Sequence, residues 1–320
     1  MAGLGALIGI VGPVFLVILI GFGIGRSGIL GPDLVRGIGR FIIAVPLPAL
    51  VFNALATARI GEVFRPDYLT VYGCASLTAF ALGFAWFRWG AGGGGASMDR
   101  AAVRAAGMAL SNSAFVGLSI TTQLYGQAGA GPVVLNLMVE NFLMIPLLLT
   151  LLELGQGDHG HPLQALAGIG RNLLRSGLSW GIVLGAVFAG LGLALPQPLA
   201  RTVQIVAGSA APLALITIGA SLAGVRLSGQ VGAVTTIAAG KLLLHPALVL
   251  AFLLLVPVAD PLFRTSLVLL AAAPTASLVP VFAQRTHDAD TCSAAMLVAT
   301  AASFATLLIA MALLGVHLPQ

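Results

Sequence analysis

Runs of about 20 apolar residues, separated by short polar connections, recur along the whole chain. That is the length a helix needs to cross a hydrocarbon core about 30 Å thick. The pattern predicts ten transmembrane helices, over roughly 6–25, 34–56, 68–89, 101–125, 131–154, 177–195, 201–224, 231–256, 262–285 and 291–316. Pro32, Pro66, Pro162, Pro196, Pro198 and Pro261 sit in or beside the connections, and Gly92–Gly95 reads as a flexible loop. The longest connection, Gly155 to Ser176, carries Asp158, His159, His161, Arg171 and Arg175. It divides the chain into two halves of five spans.

Two spans are interrupted halfway. Asn112 and Ser113, then Gly117 and Ser119, break the fourth; Pro274, Thr275, Ser277 and Pro280 break the ninth. A proline inside a helix removes a backbone donor and clashes with the carbonyl four residues back. Backbone freed at membrane depth persists only where protein or a watery cavity satisfies it. Interrupted segments at matching places in two halves point to a transporter's binding site. With five spans per half, a second half repeating the first must be inverted. The stretch Pro48–Ala56 in the second span also resembles Pro212–Ala223 in the seventh. Asn53 and Thr217 lie five residues beyond those prolines, which makes them candidate contacts from the other side of the site; Pro46 and Pro48 line it or simply kink the span.

Composition agrees with a membrane protein: 58% of the 320 residues are hydrophobic and 8% are charged, against about 25% charged in a soluble domain. The formal charge of +5 comes from basic residues spread singly over short loops, a pattern that sets membrane orientation and does not suggest nucleic acid. One set of connections holds Arg26, Arg36, Arg40, Arg88, Arg100, Arg104, Arg171, Arg175, Arg226 and Arg285; the other holds Arg59, Arg65, Arg201 and Arg264. The positive-inside rule puts the first set in the cytoplasm and both termini in the periplasm of a bacterial inner membrane. No nucleophile elbow, metalloprotease helix, phosphate loop or Cys/His metal spacing occurs, so an enzyme, a cofactor, a metal site and ATP coupling are not expected.

Five short stretches, in order along the chain, resemble the auxin efflux carrier family: Val45-Pro-Leu-Pro-Ala-Leu-Val-Phe, Ser111-Asn-Ser-Ala-Phe-Val-Gly-Leu, Ile218-Gly-Ala-Ser-Leu, Lys241-Leu-Leu-Leu-His-Pro and Ala273-Pro-Thr. The family includes plant auxin exporters and bacterial organic-acid or malonate permeases. The resemblance implies the fold of the bile-acid sodium symporters, in which a panel subdomain (about 1–57 and 177–226) moves against a core subdomain (about 66–155 and 231–316). The fourth and ninth helices would cross in the core, and substrate would bind at the crossover with elevator-type alternating access. Where the family usually has a proline in the fourth helix, this chain has Ser119.

The candidate substrate-binding residues are therefore Asn112, Ser113, Gly117, Ser119, Pro274, Thr275, Ser277 and Pro280, with Asn53 and Thr217. Their polar groups either bind substrate or only satisfy freed backbone and join helices. Helix N-termini at the breaks would favour a carboxylate, so the expected substrate is a small organic anion. Glu140 and Lys241 each lie roughly 13–15 Å from a membrane face at about 1.5 Å per residue. A lone charge at that depth is costly, so the two are expected to pair, either as a static ion pair or with Glu140 carrying a proton. A sodium-coupled carrier ranks below this because the breaks carry no acidic residue. A non-transporting receptor on the same fold is the remaining alternative, and homodimerisation is left open.

Overall fold

The computed structural model describes residues 4–58, 64–90, 95–155, 170–171, 173–225 and 230–315. Arg59, Gly92–Gly94, Asp158, His159, His161, Pro162 and Arg226, all used above, lie outside the described residues. Within them the chain is helical, and the β pairing consists of a single isolated bridge.

The first half runs α1 (Leu4–Arg26), α2 (Pro32–Ala44), α3 (Pro46–Ala56), α4 (Pro66–Trp89), α5 (Met98–Ala109), α6 (Leu118–Tyr125), α7 (Ala130–Val139) and α8 (Ile145–Gly155). The second half runs α9 (Gly177–Leu191), α10 (Gln197–Gly208), α11 (Ala210–Ala223), α12 (Val231–Ala239), α13 (His245–Leu255), α14 (Pro261–Ala272), α15 (Val279–Ala283) and α16 (Ala289–Leu313). Pro32, Pro46, Pro66 and Pro261 each start a helix, where a missing N–H costs nothing. Pro46 also explains why the expected second span is two helices hinged at Val45.

Among the described residues, seven helical stretches are long and apolar enough to cross a membrane: Gly5–Arg26, Pro32–Ala56, Pro66–Trp89, Ser113–Gly155, Gln197–Ala223, Val231–Leu255 and Ala289–Leu313. Gly177–Leu191 and Pro261–Ala272 are apolar but shorter. This differs from the ten spans read from hydropathy at three places: the sixth run forms only Gly177–Leu191, and the fourth and ninth are interrupted. The fourth run is cut at Leu110–Asn112 and the ninth at Ala273–Leu278, so each holds two short helices rather than one long one. The 43-residue stretch from Ser113 to Gly155 exceeds one span, and it turns at Gly126, whose φ of +60° favours glycine.

Among the described residues three π-turns interrupt the helices, at Ser113–Gly117, Glu140–Met144 and Gly240–Leu244. The last two have a common cause. Each is followed by a proline six residues after its first position, Pro146 and Pro246. The wider turn makes room for a ring that would otherwise strike the carbonyl four residues back.

Packing joins these pieces at close helix contacts and in several apolar clusters, one of which sets α1 and α11 against α6, α14 and α16. Helix α1 lies along α11 so closely that a Cβ on Gly25 would meet the Ala220 carbonyl oxygen at 2.8 Å, and one on Gly219 would strike the Ile18 carbonyl. Helix α3 lies along α9, where a Cβ on Gly181 would meet the Pro48 carbonyl oxygen at 2.7 Å. Small residues let helix backbones approach without a hydrophobic drive between them. Another cluster buries Tyr68, Tyr72, Leu135, Leu148, Val249 and Leu267 among α4, α5, α7, α8, α13 and α14. Leu16, Leu19, Ile20, Leu254, Ile309 and Leu313 stay exposed on the outer faces, where hydrocarbon is the solvent that suits them.

Candidate functional site

The two interrupted segments meet. Leu110, which follows α5, is extended, and Ser111 forms an antiparallel bridge with Thr275. The Asn112 N–H donates to the Pro274 carbonyl at 2.8 Å, and the Ala276 N–H donates to the Leu110 carbonyl at 3.1 Å. Each break thus satisfies backbone groups that the other sets free, which is what unwound chain at membrane depth requires. Side chains close the remaining ends. The Thr275 hydroxyl donates to the Gly107 carbonyl at 2.9 Å, and the Lys241 ammonium donates to the Ala271 carbonyl at the end of α14.

A cavity of about 190 Å³ opens on this junction. Its polar wall is Ser111, Asn112, Glu140, Asn141, Ser176 and Ser277; Leu47, Phe115 and Leu178 are among its apolar lining. A second cavity of about 400 Å³ shares Ile43, Phe115, Ser277 and Leu278 with the first. It continues past Thr217, Pro280 and Gln284 to Arg36 and Arg40.

Several polar groups at the junction lack protein partners. The Ser111 hydroxyl is buried with no hydrogen-bond partner among the described residues. Neither the Asn112 amide nor the Ser277 hydroxyl has a side-chain hydrogen bond there. Ser111 Oγ is sealed away from the cavity, so Asn112 and Ser277 are the unpaired groups of its wall that a polar guest could meet.

The wider comparison points the same way. The family model described as "Membrane transport protein" matches residues 6–311. The chain belongs to this membrane transport family, the auxin efflux carriers. A protein of Rhizobium meliloti (strain 1021) named "Putative malonate transporter" is 29% identical over 304 residues, covering 93% of this chain and 92% of that protein. An "Uncharacterized transporter" of Methanothermobacter thermautotrophicus is 25% identical over 301 residues, covering 92% of this chain and 94% of that protein. The protein is a membrane transporter and not an enzyme.

In this carrier the residues singled out from sequence separate into three groups. Asn112 and Glu140 line the 190 Å³ cavity at the junction, here the inner cavity; Thr217 and Pro280 line the 400 Å³ cavity beyond it, the outer one; and Ser277 lines both. Ser113, Gly117, Ser119, Pro274 and Thr275 build the wall from behind. Ser113 donates to Glu140 Oε1 at 3.0 Å and accepts from Asn136 Nδ2 at 3.2 Å. Gly117 donates its N–H to the Asn112 carbonyl, and a Cβ there would strike Leu270. The Ser119 hydroxyl turns back to the Phe115 carbonyl at 2.8 Å, so it is spent within its own helix. Asn53 lies on α3 and lines neither cavity.

The expected Glu140–Lys241 pair takes a different form. The two side chains do not make an ion pair; each has its own set of neutral partners. Glu140 Oε1 accepts from the Tyr72 hydroxyl at 2.8 Å, the Ser113 hydroxyl at 3.0 Å and the Ser111 N–H at 3.3 Å. Lys241 Nζ meets Ala271 O and, at 3.2 Å, His245 Nδ1. An ammonium only donates, so Nδ1 accepts and His245 Nε2–H faces the Ser76 hydroxyl at 3.1 Å. Hydrogen-bond partners thus surround each buried charge without a direct contact between the two.

Sequence reasoning missed Ser111, Asn141, Ser176 and the second shell of Tyr72, Asn136 and His245. One signal was available. Asn141 precedes Pro146 by five residues, as Lys241 precedes Pro246. That shared spacing marks both π-turns, which recur at functional sites.

Proposed function

We propose that this chain is a secondary carrier of small organic anions. The observation that carries the reading is the cavity on the paired breaks, walled by Glu140 and by Asn112 and Ser277, whose side chains make no hydrogen bond among the described residues. The relative named for malonate supports a small carboxylate as the cargo. The helical run beginning at Ser113 presents free N–H groups near that cavity, which favours an anion.

The carrier works by alternating access. In this reading the ten hydropathy runs are ten crossings arranged as an inverted repeat of five, and the interrupted fourth and ninth cross at the site. The α1–α11 and α3–α9 groups form the panel; the Tyr68–Leu267 group forms the core. The inner cavity lies between them, with Leu47 and Leu178 on one side and Asn112 and Glu140 on the other. Asn141 Nδ2 donates to the Ser179 hydroxyl across that boundary at 3.0 Å, a bond that must break when the core moves. The outer cavity leads to Arg36 and Arg40, so with the arginine-rich loops in the cytoplasm the carrier stands open inward, in an inner membrane with both termini outside.

Counterflow tests the reading. Proteoliposomes loaded with unlabelled malonate should transiently accumulate labelled malonate, and substrate-dependent stabilisation should accompany it. Stabilisation without flux would instead support a receptor. A sodium-coupled carrier gains one point from the structure, because Glu140 reaches the break that lacks an acid of its own. Three donors already surround Oε1, so Oε2 is the one acidic oxygen at the break left for a cation; flux that requires sodium would reverse this ranking.

A further inference from the structure

Among the residues lining the inner cavity, Glu140 is the one with an ionisable side chain, and it is an acid in a site read above as taking an anion. Its two oxygens are not alike. Oε1 accepts three hydrogen bonds, from Tyr72, Ser113 and the Ser111 N–H. Oε2 has no partner among the described residues, and it is absent from the sealed, unpartnered atoms there because it reaches the cavity. An oxygen that accepts three donors has no room for a proton of its own. A proton on Glu140 therefore sits on Oε2, facing whatever the cavity holds.

We propose that Glu140 Oε2 and a carboxylate oxygen of the bound substrate share one proton. The ligand class is a carboxylate, and the complex is a carboxyl–carboxylate pair with a single negative charge between the two groups. Two carboxylates at one site cannot both stay ionised, so one keeps its proton. No covalent bond forms or breaks; the proton enters from water through the outer cavity and leaves the same way or with the cargo. This rests on the organic-anion reading and adds to it the protonation state of the complex.

The surrounding groups suit this assignment. Tyr68 and Tyr72 of α4 face Glu140 from one side, and Tyr68 donates to Asn136 Oδ1 at 2.7 Å. Lys241 and His245 lie behind Tyr72, whose ring is 5.6 Å from the imidazole. Lys241 donates to Ala271 O and meets His245, and it makes no hydrogen bond or direct ion pair with Glu140. The remaining neighbours, Ser111, Ser113, Asn136 and Asn141, do not titrate.

The test uses Glu140→Gln in the full chain. The three donors should hold the glutamine Oε1 in place and turn its NH₂ toward the cavity, which imitates the protonated acid. Malonate and propionate binding would be measured calorimetrically in detergent from pH 5.5 to 8.5. Wild-type affinity should fall with rising pH, approaching tenfold per unit at the alkaline end, while the variant binds with that dependence removed. Wild type should also take up a proton on binding, read as a heat that changes with the ionisation enthalpy of the buffer. The same pH slope in both proteins, or a folded variant that no longer binds, would overturn the shared proton. If the variant does not fold, buffer-independent heat in wild type overturns it and buffer-dependent heat sustains it. If neither carboxylate binds either protein at any pH, the organic-anion reading itself fails and takes this one with it.

Discussion

Truncating Asn112 separates a binding role from a structural one, because the structure divides its backbone and side chain cleanly. The Asn112 N–H pairs with Pro274 O and its carbonyl accepts from Gly117, and Asn112→Ala keeps both bonds. The side chain makes no capping hydrogen bond at the start of Ser113–Gly117. A lost cap would cost about 0.5–2 kcal/mol; with no cap to lose, we expect destabilisation below about 1 kcal/mol. Binding should respond differently. A hydrogen bond from an amide to a carboxylate contributes about 1.5–3 kcal/mol, which converts to a rise in Kd of about 10- to 150-fold. Thermal melts of the purified variant measure the first quantity and calorimetric titration with malonate the second. Ser113→Ala supplies the contrast. It strips a donor from Glu140 and an acceptor from Asn136, so it should destabilise by about 1–3 kcal/mol. A melt showing Asn112→Ala as damaging as Ser113→Ala, or a Kd within twofold of wild type, would refute the reasoning.

Lys241→Met should destabilise by about 1–3 kcal/mol for each buried acceptor it orphans, Ala271 O and His245 Nδ1; adding Glu140→Gln should not restore it, since the missing donor is not replaced. Thermal melts of the single and double variants check this. The buried Arg104–Asp288 contact, with nitrogen–oxygen distances of 2.6 and 3.1 Å, ties α5 to the start of α16. Either single truncation, Arg104→Met or Asp288→Leu, should cost about 3–5 kcal/mol, and the double variant should recover most of it, as a double-mutant cycle would record. A cysteine placed at position 2 should react with an impermeant reagent in intact cells; labelling only after permeabilisation would invert the proposed orientation.

The apolar runs were enough to announce a multi-pass helical membrane protein, because lipid offers no partner to backbone groups and leaves few ways to satisfy them. The interruptions at Met108–Tyr125 and Leu269–Gln284 were also legible, since glycine, proline and small polar residues inside such runs have a steric meaning wherever they occur. What the sequence could not supply was where the freed groups go. The pairing of Ser111 with Thr275 joins residues 164 positions apart, and no local pattern encodes it. The same limit explains the charges. Depth along a helix correctly marked Glu140 and Lys241 as buried, but their partners come from other helices: Tyr72 and the Ser111–Ser113 turn for one, the end of α14 for the other. Asn53 and Thr217 hold matching places in a faint repeat, yet of the two only Thr217 lines either cavity at the junction, because helix rotation against neighbours decides which face looks inward. Local chemistry wrote the helices and their breaks into the sequence; which unpaired groups face a common space is a long-range property that only packing decides.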